Sequence, residues 1–227
     1  MIHKRSTLFL NREHAAQQLI SKLSNYKNKN CSIITTSNGG VAIAKHVAKS
    51  LNADLVFIPS EKIKDPSDSL KSIGVVSLDY VVTDELDRGI PQDFIYRRTR
   101  AIRSELLSRY PDVYSPISSR FQDRIVILVD DCLESNDEVL GCLRTVRKQR
   151  PKEIVVAVPV VSHDAAQGVT QEADSVVFIH VVSDDSIKSS YLDFDTITDE
   201  EVRGLMDLST KEIIEDKPSS HNLFLVG

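Results

Sequence analysis

The stretch Arg124-Ile125-Val126-Ile127-Leu128-Val129-Asp130-Asp131-Cys132-Leu133-Glu134-Ser135-Asn136-Asp137-Glu138 joins an apolar run, a carboxylate pair and the start of a helical pattern. Five apolar residues in succession, Ile125 to Val129, predict a strand buried on both faces, as parallel sheets covered by helices require. Asp130 and Asp131 stand at its carboxyl end, where open α/β sheets place their ligand crevice. Two readings fit the pair: it ends a strand and caps a loop, or it accepts hydrogen bonds from the vicinal hydroxyls of a sugar. Beyond it, Val139, Leu140 and Leu143 fall at helical spacing, and Ser135 with Glu138 has the spacing of a capping box.

The same alternation continues in both directions. Downstream, the pattern predicts a helix from Asp137 to Gln149, a strand from Glu153 to Val160, a helix from Asp164 to Gln171 and a strand from Ser175 to Val181. Upstream, it predicts a helix from Asn11 to Ser24 and a strand from Ser32 to Thr36. The turn Ser37-Asn38-Gly39-Gly40, a helix from Val41 to Leu51 and a strand from Leu55 to Pro59 follow. Repeated βαβ order implies an α/β fold with a central, mostly parallel sheet flanked by helices.

Between the two halves, Ile73, Val75, Val76, Val81, Val82 and Thr83 predict a small β-rich hood lobe at about residues 61–89. A helix from Pro91 to Arg109 and a loop from Tyr110 to Ser119 come next. Thr198 to Leu208 reads as a last helix, with Thr198 and Glu201 as its capping box. The expected organisation is one domain over residues 1–208 and a polar C-terminal tail over 209–227.

Composition narrows the function classes. With 41% hydrophobic residues, 27% charged residues and a formal net charge of −5, the chain reads as an ordinary folded protein and a poor non-specific ligand for nucleic acid or an anionic membrane. The start, Met1 to Arg12, has no apolar run of signal-peptide length, and no segment approaches the apolar length of a membrane span. Cys31, Cys132 and Cys142 are widely spaced and form no Cys-x-x-Cys pair, so neither a zinc site nor a disulfide framework is expected. These features together imply a soluble cytoplasmic protein without a metal site of its own.

Other polar clusters have local explanations. Arg97, Arg98, Arg100 and Arg103 form a basic helix face of the kind that pairs with acids. Arg144, Arg147, Lys148 and Arg150 suit the negative end of the helix before Pro151. Ser162-His163-Asp164 has the residue types of a catalytic triad, but three contiguous residues after a strand cannot take its geometry. Cys132, beside two carboxylates, is expected to hold its proton tightly.

The strand, the Asp130-Asp131 pair and the loop leading into a helix resemble the PRPP motif of type I phosphoribosyltransferases. Further stretches are similar in the same order: Phe9 to Leu19, Asn38-Gly39-Gly40-Val41, Lys62 with Ile63 and Pro66, Ile73-Gly74, Tyr96-Arg97-Arg98, Ile154 to Val160, Ala173-Asp174, Tyr191 with Phe194, and Thr198 to Val202. The resemblance implies phosphoribosyl transfer between PRPP and a nitrogen base, with Mg2+ on the diphosphate in active members. It implies that Asp130 and Asp131 hold the ribose hydroxyls. The loop Cys132, Leu133, Glu134, Ser135, Asn136, Asp137 and Glu138 would receive the 5′-phosphate. Ser37, Asn38, Gly39 and Gly40 would face the pyrophosphate, and Lys62 would neutralise phosphate charge. Partners implied are a nucleotide, nucleoside or base, and a homodimer is common among such proteins. The resemblance assigns no catalytic residue.

The sequence departs from that family where phosphate binding is concentrated. Active relatives carry glycine and threonine in the loop, whose backbone N–H groups and hydroxyls surround the anion. Here Asn136 replaces a glycine, Glu138 a hydroxyl, and Glu134, Asp137 and Glu138 add negative charge. Asn38 replaces the basic residue common before the paired glycines. The expectation is weakened or lost phosphoribosyl transfer, or else a non-catalytic nucleoside-binding or nucleotide-binding role for the crevice.

Overall fold

The computed structural model describes residues 8–83, 89–111, 113, 120–135, 137–183 and 187–215. In chain order the elements are α1 (Arg12–Lys22), β1 (Cys31–Thr35), α2 (Asn38–Leu51), β2 (Asp54–Phe57), β3 (Ser60–Lys64), β4 (Ser72–Ser77), β5 (Val81–Thr83) and α3 (Gln92–Arg109). Then come β6 (Ile125–Val129), β7 (Cys132–Leu133), α4 (Asp137–Arg147), β8 (Glu153–Ser162), α5 (His163–Glu172), β9 (Ser175–Val182) and α6 (Asp199–Glu215).

Successive side chains of a strand point to opposite faces, and β6 sends them into two different cores. Ile127 and Val129 join Leu19, Ile43 and Val47 on the α1–α2 side. Val126 and Leu128 join Val139, Leu143 and Val169 on the α4–α5 side. Each such leucine or valine, taken fully from water, contributes about 1.5–3 kcal/mol. The expected fold class is therefore the observed one: helices cover both faces of a sheet running β2-β1-β6-β8-β9, with β7 beside β8, and every recorded pairing in it is parallel. The chain leaves β1 toward β2 on one side and resumes with β6 on the other. That makes the carboxyl ends of β1 and β6 the switch point where a crevice opens.

The hood is a separate antiparallel sheet, β3-β4-β5. It sits directly on α4. A Cβ added to Gly141 would lie 2.7 Å from Val82 Cγ2 and 2.8 Å from Tyr80 Cε2, and the Tyr80 hydroxyl donates to the Glu138 carbonyl at 3.0 Å. A third core, containing Phe57, Ile63, Val76, Ile102 and Leu106, joins the hood to α3. Residues 84–88 of the expected lobe and most of the Tyr110 to Ser119 loop lie outside the described residues.

Three local expectations are corrected. Ser37-Asn38-Gly39-Gly40 is not a free turn: Ser37 is the N-cap of α2, and the other three form its first turn. Thr198 and Glu201 make the expected capping box, but α6 continues past Leu208 to Glu215. Arg144 and Arg147 do more than complement a helix dipole, since they pair with Glu172 and Asp174, each at 2.9 Å. Ser162 caps α5, consistent with a helix-leading role. No helix among the described residues is long and apolar enough to cross a membrane.

Gly141→Val forces a branched side chain into the hood–α4 contact. Urea denaturation is expected to show a loss of about 1–3 kcal/mol, the usual range for overpacking.

Candidate functional site

Asp130 and Asp131 follow β6 where the ladder is interrupted. β6 pairs with β8 up to Val129 opposite Ala157, and β7 resumes at Cys132 opposite Val160. The gap falls beside Val158 and Pro159, and Pro159 has no N–H to offer a neighbour. The two aspartates leave the sheet here and meet the start of α2. The contact is close because glycine is present: a Cβ on Gly39 would lie 2.0 Å from Asp131 Oδ2, and one on Gly40 would lie 2.7 Å from Asp130 Oδ1 and 2.1 Å from Thr35 Oγ1.

Both carboxylates are held by the protein. Ser37 Oγ donates to Asp130 Oδ1 at 2.5 Å while accepting from the Gly40 N–H at 2.9 Å. The Asp131 N–H also donates to Asp130 Oδ1, at 2.8 Å. Burial, and then the neighbouring Asp131, push the Asp130 carboxyl well above the usual range, and these hydrogen bonds only partly oppose the shift. Arg12 Nε donates to Asp131 Oδ2 at 2.8 Å, and the Tyr191 hydroxyl donates to the Asp131 carbonyl at 2.7 Å. The Arg12 guanidinium lies 4.1 Å from the centre of the Phe194 ring, which stacks on Tyr191 at 4.6 Å.

On the other side, a cleft of about 170 Å³ brings together Ser37, Lys62, Asp130, Asp131 and the 132–135 loop with Glu138. Lys62, on β3 of the hood, donates to Ser135 Oγ at 3.4 Å and lies 3.7 Å from Glu138 Oε1. Burial raises the Glu138 carboxyl, and Lys62 opposes that rise. Burial and then Asp131 and Asp130 raise the Cys132 thiol, as its position beside the carboxylates predicts.

The expected Ser135–Glu138 capping box is not formed among the described residues. α4 begins at Asp137, which leaves Ser135 too far back to cap it, and Lys62 reaches both would-be partners instead. Asp137 is exposed and lies outside the cleft lining, so the loop's charge on the cleft comes from Glu134 and Glu138. Asn136 lies outside the described residues.

Asn38 is turned to structural use. Its Nδ2 donates to the Ile197 carbonyl at 3.1 Å and to Asp199 Oδ1 at 2.9 Å. The Tyr110 hydroxyl lies 2.8 Å from Asn38 Oδ1 and also meets Asp199 Oδ1, so its single proton serves one acceptor at a time. Burial favours a higher pKa for Asp199, but bonds from Tyr110 and Asn38, with Arg109 and Arg203 nearby, bring it below the usual range. Burial and Asp199 push Tyr110 up to about 12.

Sequence reasoning placed Asp130, Asp131, Ser37 to Gly40, Lys62 and the loop around one crevice; the structure brings Ser37, Lys62, Asp130, Asp131, residues 132–135 and Glu138 together in one cleft, packs Gly39 and Gly40 against the carboxylates, and leaves Asn38 and Asp137 out of the lining. Sequence reasoning missed the roles of Arg12, Tyr110 and Asp199. Arg12 had one signal: it is the first residue of α1, where a cation opposes the helix dipole unless it has another partner.

A parallel α/β sheet with a carboxylate pair at its switch point has its crevice where folds of this class place their ligand sites. The family model of the phosphoribosyl transferase domain matches residues 1–191, and the chain belongs to that family. A protein of Mycobacterium tuberculosis (strain ATCC 25618 / H37Rv), provisionally named as a phosphoribosyl transferase, is 26% identical over 219 residues. The match covers 92% of this chain but only 48% of that protein, so the chain spans about half the length of this relative. The crystal structure of the protein TT1426 from Thermus thermophilus is similar at a TM-score of 0.69 and 26% identity, over 87% of this chain and 97% of that one.

Asp130→Asn keeps the oxygen that accepts from Ser37 and Asp131 while removing a buried ionisable group. Because the folded protein binds the Asp130 proton more tightly than the unfolded chain does, wild-type stability from this group is full below about pH 3.8 and falls as pH rises through the raised folded value. The variant is expected to have the higher denaturation midpoint at pH 7. That advantage should shrink as the pH is lowered toward 4, as measured by urea denaturation across the range.

Proposed function

We propose that this cleft binds a ribose-containing ligand through Asp130 and Asp131, and that phosphoribosyl transfer between PRPP and a nitrogen base is weakened or lost in this chain. Family membership supports the ligand class. One observation carries the weakening: Lys62, the lysine that lines the cleft, already faces Glu138 at 3.7 Å and Ser135 at 3.4 Å. A phosphate dianion entering there meets a carboxylate where the family offers hydroxyl and backbone donors. At about 4 Å such a like-charge pair costs about 4 kcal/mol at the effective dielectric of a protein surface.

Magnesium fits this site only in a limited way. Adjacent carboxylates are hard oxygen donors of the kind it takes, but Asp131 is paired with Arg12 and Asp130 is buried against Ser37. Among the described residues no group of three His, Cys, Asp or Glu side chains is placed to hold an ion. The cleft suits magnesium brought in on a ligand's diphosphate, whose charge it would neutralise. The unpaired Cys31, Cys132 and Cys142 accord with the cytoplasmic setting we assign.

A second reading, binding without transfer, is favoured by Asn38. The residue expected to face pyrophosphate spends its amide on Ile197 and Asp199. In either reading, titration calorimetry with magnesium and PRPP is expected to give no binding or a Kd above about 1 mM. Micromolar binding would overturn the reading. Exchanging residues 132–138 for the Gly- and Thr-rich loop, with Asp130 and Asp131 kept, is expected to bring PRPP binding into range; an unchanged titration of the folded variant would move the defect to Asn38.

A further inference from the structure

We infer that Glu138 makes the cleft selective for a ribofuranoside whose 5′ carbon carries a free hydroxyl, and against its 5′-phosphate. This rests on the ribose reading above and goes beyond it by assigning the discrimination to one side chain. Gly39 and Gly40 close one flank of the carboxylate pair, since even a methyl group there would collide with Asp131 or Asp130. The open volume lies on the other flank, between the pair and Ser135, Glu138 and Lys62. A ribose placed with its vicinal hydroxyls on Asp130 and Asp131 has its C5 arm on the opposite edge of the ring. That arm enters the space beside Glu138 and Lys62.

The pair at that end complements a hydroxymethyl group. A hydroxyl has one proton to donate and lone pairs to accept, so it can donate to the Glu138 carboxylate and accept from the Lys62 ammonium together. A phosphate monoester carries about −1.5 to −2 charges at pH 7 and offers acceptors. It has to share Lys62 with the Glu138 carboxylate, whose backbone is fixed by the Tyr80 bond to its carbonyl and by the hood seated at Gly141 one turn further along α4. Glu138 thus fills in the folded protein the role of the anion that Lys62 would otherwise bind.

Methyl β-D-ribofuranoside and its 5-phosphate differ only at the group in question and carry no base, so they isolate this end of the cleft. Titrations followed by backbone chemical shifts, which read millimolar affinities, are expected to show the wild type binding the free sugar at least tenfold more tightly. Glu138→Gln, nearly isosteric, is expected to erase that preference or reverse it, and Glu138→Thr, checked for folding by circular dichroism, to do the same. Equal or tighter binding of the 5-phosphate by the wild type would overturn the inference while leaving the ribose reading intact. An unchanged preference in both folded variants would do so too. Binding of neither sugar by any form would overturn both.

Discussion

The approach of the first turn of α2 to the end of β6 is the constraint on which the site depends. Two glycines let the backbone lie against two carboxylates, and no other residue type leaves that room. Ser37 then ties the turn to Asp130 with one hydroxyl used in both directions. Everything that lines the cleft is placed relative to this junction: the loop because it continues from Asp131, and the hood because it rests on the helix that the loop begins. The carboxylates hold these parts of the protein to one another.

Much of the fold was legible because burial on both faces leaves a strong mark. Ile125 to Val129 admits no polar residue, and its position before Asp130 and Asp131 located the crevice. Thr198 and Glu201 are close in sequence, so their capping box was readable from spacing. The contacts that were not readable join distant residues. Arg12 and Asp131 are 119 positions apart, and Asn38 and Asp199 are 161 apart, with nothing local to connect them. Gly39 and Gly40 looked like turn residues because glycine disfavours helices; the tertiary demand for a missing Cβ overrode that preference.

The loop shows the opposite failure. Ser135 and Glu138 have the spacing of a local motif, and local spacing alone predicted that they would satisfy each other. A lysine from another sheet intervened. Local capping competes with any longer-range partner that offers a charge, and here the hood supplies one. In this loop the polar side chains are held by the hood and not by one another.

The bonds of Asn38 to Ile197 and Asp199 join two segments that are far apart in the chain. They anchor Ile197 and the first residue of α6 to the first turn of α2, and so help to fix the Ser37 to Gly40 segment from outside the sheet. The start of α6 contributes no side chain to the cleft lining, yet it helps to hold the turn whose Ser37 does line it.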